Sequence, residues 1–290
     1  MHPASSVIVF TVLSGFGFGC LFWLAIGLPD LMGLDAFVYY AIAFAVSVVG
    51  LVSSTFHLGN PQRALRAFTQ WQTSWLSREA CLSVIALVVM GLHAILVIFF
   101  GTNLQWLGIL GAFFCLATVL ATAMIYVQLK TVPRWNHMGN LVMFLLLSLT
   151  GGAIFTGSDW VVHLLIATAL LQVGVWVYGD GRFAASGSTI ESATQLGSLG
   201  QVRLFEAPHS GSNYLLKEMV HIIGRKHAVK LRFIALLLMS VVPALLAMMM
   251  PLSVVVLVVI AGIHIAGVMA SRWLFFAEAE HVVGLYYDKR

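Results

Sequence analysis

An all-α bundle of eight transmembrane helices is the fold this sequence predicts, and three observations carry the prediction. Only 9% of the 290 residues are charged, against about 25% in a soluble domain, whose surface must be solvated. Mean hydropathy is +0.97, and the apolar residues fall in continuous runs long enough for the ~30 Å hydrocarbon core. All fifteen Lys and Arg fall at alternate connections between those runs. The long unbroken runs exclude an outer-membrane barrel, whose strands alternate polar and apolar side chains.

The runs follow one another in order. The first, 5–28, comes after a start without the basic segment of a cleavable signal, so it reads as a retained helix. The second, 36–57, leads into a polar loop, 58–78. The third and fourth, 79–100 and 105–129, are separated by a short Gly-Thr-Asn-Leu turn. The fifth and sixth, 140–157 and 159–178, touch through Gly157-Ser158-Asp159, and the seventh and eighth, 231–250 and 252–272, meet at Pro251. Each of these two pairs is too long for a single span at 1.5 Å per residue, so each is a tight hairpin.

With eight spans, both termini and the loops 58–78, 130–139 and 179–230 share one face, which receives every Lys and Arg; the other has Asp30, Asp35 and Asp159. Basic residues concentrate on the cytoplasmic side of a membrane protein. The expected topology is therefore an inner-membrane protein with both termini cytoplasmic. The pI of about 9.1 follows from those loops and does not call for a nucleic-acid partner. The chain reads as one domain, 1–290. Its loop 179–230 is too long for a passive connection. The first half of that loop is rich in Gly, Ser and Thr. Its second half mixes Leu215, Leu216, Met219, Ile222 and Ile223 with Lys217, Arg225 and Lys226, the pattern of a basic amphipathic helix lying at the interface.

The polar residues inside or beside the spans are the candidates for chemistry. Cys20, Cys81 and Cys115 lie apart in apolar segments, without the close spacing an iron–sulfur cluster needs. His57 ends the second span and Glu79 opens the third, at the same depth and flanked by Arg63, Arg66 and Arg78. A quinone head group needs a protonatable pair of this kind at the interface, because its two-electron chemistry moves two protons. The same residues also read as helix-end electrostatics, with Ser77 capping the third helix, Glu79 in its first turn and His57 as a C-terminal cation. Spacing alone leaves both readings open.

His57-Leu58-Gly59-x-Pro61-x-Arg63-Ala64, Ser74-x-Leu76-Ser77-x-Glu79 and Thr131-Val132-Pro133-x-Trp135 resemble the membrane anchor subunits of the dimethyl sulfoxide reductase (DmsC) family. That resemblance implies an eight-helix anchor without haem or iron–sulfur cluster of its own. It also implies a non-catalytic chain that binds ubiquinone or menaquinone beside a four-cluster iron–sulfur subunit and a molybdopterin catalytic subunit. The family's functional His and Glu fall on His57 and Glu79, with Arg63 and Arg78 beside them. The loop segments Phe205-Glu206-Ala207-Pro208-His209 and Asn213-Tyr214-Leu215-Leu216-Lys217-Glu218-Met219 are similar to the subgroup that serves cytoplasm-facing sulfite dehydrogenases (the SoeC type). The cytoplasmic reading of the motif-bearing face agrees with that subgroup and implies electrons running from sulfite to the quinone pool. In the sulfoxide reductase itself that face looks to the periplasm and the anchor oxidises quinol, which is the alternative.

His93 lies fourteen residues into the third span, roughly 21 Å along its axis; His163 lies in the sixth and His264 in the eighth. Intramembrane histidines are candidate functional groups, and His93 with His163 is the pair a b-type haem would use, although single histidines also hydrogen-bond neighbouring helices. A small-solute transporter is the alternative of another class. It would place acidic or other polar residues at the midplane of several spans, and Asp and Glu are absent from that depth.

Overall fold

A computed structural model supplies the structure; it describes residues 1–57, 60–206, 208–211, 213–220 and 226–288, and for His57 and Pro61 the backbone only. Among the described residues eight helices are long and apolar enough to cross a membrane. They are α1 (Ser5–Ala25), α2 (Gly33–Ser53), α3 (Trp75–Phe100), α4 (Gln105–Val127), α5 (Met138–Thr156), α6 (Val161–Ala185), α7 (Ala228–Met249) and α8 (Val254–Ala277).

The chain packs around α1. In its most apolar stretch 72% of residues are buried, against 22% in α7. Small residues allow the approach: a Cβ on Gly19 would overlap the Ser148 carbonyl of α5, and one on Gly152 would overlap the Gly19 carbonyl. Lipid is as apolar as these side chains, so association rests on such close packing and on hydrogen bonds between helices. Ser148 donates to the Gly15 carbonyl at 2.6 Å and the Trp23 indole to the Leu149 carbonyl at 2.9 Å. Thr150 and Thr168 join α5 to α6 at 2.8 Å.

The last two helices differ from plain α-helix in one place. Leu237–Val241 of α7 forms a π turn, and within it the Met239 carbonyl accepts a 2.6 Å hydrogen bond from His264 Nδ1 of α8. The start of α1 and the end of α8 meet at the basic end of the bundle, where Ala4, Val7 and Phe276 line one pocket. There the segment after α4 folds under the bundle. The Trp135 indole donates to the Phe275 carbonyl at 2.9 Å and stacks on the Phe275 ring, and Val282 N donates to the Thr131 carbonyl.

Helix ends depart from the sequence boundaries where glycine and charge suggest a loop. α6 continues past 178 to Ala185 and carries Asp180, whose carboxylate is paired with arginines rather than left in a loop. α8 continues past Arg272 through Trp273-Leu274-Phe275-Phe276. In the long loop, Tyr214–Glu218 is a single helical turn capped by the Asn213 side chain. Residues 221–225, in the middle of the expected amphipathic helix, lie outside the described residues, and α7 begins at Ala228.

Candidate functional site at the basic end

α3 begins at Trp75 with Ser74 at its N-cap, so Glu79 lies in the second turn, beyond the free N–H groups of the helix start. Ser77 is inside the helix and is not its cap. Glu79 is 4% exposed, which removes the reading of a solvated helix-end charge. Its carboxylate accepts a 2.9 Å hydrogen bond from Thr122 Oγ1 of α4. One turn along α4 from Thr122 stands Tyr126, whose ring stacks on Phe144, the ring that the Arg272 guanidinium also covers.

Tyr126 is also on the wall of a pocket of about 350 Å³ that opens at the basic end. Its apolar wall includes Val7, Phe10, Leu76, Ile125, Leu129 and Phe276, and its polar lining includes Ser54, Tyr214 and Glu218. Leu76 precedes Glu79 by one turn of α3, so the buried carboxyl sits one turn deeper than the pocket wall. An apolar slot with a few polar groups at one end, within the 300–1,000 Å³ range of small-molecule sites, suits a flat ring on a hydrophobic tail.

The other expected site residues are placed differently. His57 closes the 3₁₀ turn Ser54–His57, whose first residue lines the pocket; the His57 side chain, like Leu58 and Gly59 of the motif, lies outside the described residues. Arg63 and Arg66 are exposed on the 3₁₀ segment Pro61–Phe68. Arg78 donates to the Trp71 and Gln72 carbonyls at 2.9 and 2.6 Å and lies 4.3 Å over the Trp75 ring. It therefore holds the loop before α3 in shape, one residue from Glu79 in sequence.

The three intramembrane histidines have separate neighbours. Fully buried His93 hydrogen-bonds Tyr40 at 2.8 Å and Asn103 at 3.2 Å. His163 is exposed with its ring beside Trp160, and His264 binds the Met239 carbonyl across the α7–α8 contact. Among the described residues no three His, Cys, Asp or Glu side chains gather as a metal site.

Sequence reasoning missed Thr122, Tyr126 and Arg272. Arg272 reads as a charge at the end of the last span, but it is 5% exposed, with its guanidinium 3.5 Å from the centre of the Phe144 ring. The signal is the apolar run Trp273-Leu274-Phe275-Phe276 after it, which continues the helix and draws the arginine inside.

The C subunit of the sulfite dehydrogenase of Allochromatium vinosum is 30% identical, over 99% of each chain. No solved structure matches. The description "DMSO reductase anchor subunit (DmsC)" belongs to the family profile that matches residues 1–277, and the chain is thus a multi-pass membrane protein of the DMSO reductase anchor subunit (DmsC) family.

Proposed function

We propose that this chain is the quinone-binding anchor of a molybdopterin and iron–sulfur oxidoreductase, and that it passes electrons from sulfite oxidation to the quinone pool. The observation that carries the reading is the buried Glu79, tied through Thr122 to the helix face that walls the basic-end pocket. A quinone bound there supplies a lipid-soluble acceptor of two electrons and two protons. Apolar side chains from α1, α3, α4 and α8 hold its ring and the head of its tail, while Glu79 serves as a proton carrier beside Tyr126, with His57 as the proposed second carrier.

Similarity to a sulfite dehydrogenase subunit along the whole chain supports sulfite as the electron source. Exposed apolar side chains on the basic face, among them Phe205 at 94% exposure, Leu199 and Leu65, support that face as the seat of the iron–sulfur subunit. The catalytic molybdopterin subunit lies beyond it. Purified with its partners, the complex should reduce a short-chain quinone with sulfite as donor. Sulfoxide reduction driven by quinol, with no sulfite-linked rate, would establish the alternative direction instead.

The one-sided Lys and Arg support a cytoplasmic position for this face. Reporter fusions at Gly101 and Pro251 should therefore report periplasm, and fusions between 186 and 206 cytoplasm. The reverse pattern would turn the partner subunits outward and remove the case for sulfite oxidation.

A further inference from the structure

A quinone filling the pocket would close Glu79 off from water on that side, yet the carboxyl has to recover its proton between turnovers. The bundle interior offers a second approach. At the basic end, between α6, α7 and the end of α8, a basin of about 300 Å³ is bordered by Asp180, Arg232, Glu280, Arg134 and Glu278. Arg134 and Glu278 also border a cavity of about 20 Å³ reaching inward past Asn140, Gln172 and Ser271 to Arg272. Arg272 borders a second cavity of about 20 Å³, on which His264, Ser148, Thr11 and Thr122 converge. Thr122 donates to Glu79.

We infer that this line of polar cavities, from the Asp180–Arg232 basin through Arg272 to Thr122, is the path by which protons reach Glu79. The inference rests on the reading of Glu79 as the proton-exchanging group of the pocket. Each inner cavity is large enough for a water molecule and has several polar partners for it, the two conditions for ordered internal water. Arg272 Nε is buried without a hydrogen-bond partner among the described residues, so the guanidinium has donors to spare for such water. It does not give up its own proton. It holds water on both sides and, bordering the same cavity as Thr122, offsets the negative charge left when Glu79 releases its proton. His264 donates from Nδ1 to the Met239 carbonyl, and in the neutral form of the ring Nε2 is then an acceptor at the inner cavity. Arg272 and Gln172 are positioning residues here, since they act on the proton through water.

The test reads Glu79 directly, in the complex purified in detergent with the pocket saturated by a tight hydroxyquinoline analogue of quinone. After a rapid pH jump, infrared difference spectra follow the Glu79 carboxylate band, assigned by its loss in Glu79→Gln. Arg272→Met and Gln172→Leu are expected to slow its protonation by about 10²-fold, the lower range for loss of a positioned proton-transfer group, and Arg272→Lys to restore most of the rate. Unchanged protonation in both variants would overturn the path and leave the quinone reading intact. Slowed protonation alongside wild-type quinone turnover in Glu79→Gln would keep the path and sink the quinone reading. Should Arg272→Met fail to assemble, Gln172→Leu and Ser271→Ala, which remove no charge, decide the question by the same measurement.

Discussion

Glu79→Gln is expected to lower quinone-linked turnover by about 10²–10⁴-fold, the usual cost of losing a positioned proton carrier. The substitution is close to isosteric, and Thr122 still has a side-chain oxygen to donate to, so the α3–α4 contact at 2.9 Å survives. What is lost, on the proposed reading, is the ability to hand over a proton beside the pocket. His57→Ala should give a loss of the same order if the two act as a pair. Reduction of a soluble dye by the partner subunits, which bypasses this chain, reports that the complex has assembled. Turnover within twofold of wild type in both variants would reduce these residues to packing and electrostatics.

The second large effect concerns stability. Arg134 and Arg232 are held between Asp180 and Glu278 by ion pairs of 2.6–2.9 Å, joining α6, α7, α8 and the segment after α4. The Glu278 side chain is only 5% exposed, whereas that of Asp180 is 48% exposed. Removing one partner of a buried pair costs about 3–5 kcal/mol, because the remaining charge is left without compensation. Glu278→Ala should approach that figure in reversible unfolding from mixed micelles. Asp180→Asn should cost about 1 kcal/mol or less, since water can replace an exposed partner. Equal effects for the two substitutions, or a negligible one for Glu278→Ala, would show that burial does not set the strength of this network.

The fold was legible because lipid imposes a simple rule: a span must be long, apolar and helical, and basic residues gather on one side. Those constraints act on each segment separately and need no knowledge of neighbours. The candidate site was legible only where a local motif marks it, as at Glu79, whose burial the motif does not reveal. Arg78 stands beside Glu79 in sequence, yet its guanidinium turns back to loop carbonyls, which spacing alone does not reveal. Thr122 and Tyr126 are ordinary helix residues until α3 packs on α4. Arg272 was hidden for the opposite reason, because a charge near a span's end has a sufficient explanation as a topological signal. His93 shows the same limit, since its partners Tyr40 and Asn103 come from α2 and a turn.

The central position of α1 has a consequence for biogenesis. It precedes the other seven helices in the chain, and so meets the bilayer before any of the surfaces that will cover it exist. Its side chains are apolar nearly all the way round, and Thr11 and Ser14 return their hydroxyls to carbonyls of their own helix. It can therefore wait in lipid as a single helix with these hydroxyls satisfied, and its Trp23 indole gains a partner in the Leu149 carbonyl when α5 arrives. Gly17 is met by Ser47 of α2, but the side that carries Gly15 and Gly19 is covered only when α5 arrives. Assembly is thereby ordered: the axle of the bundle is inserted first and enclosed last.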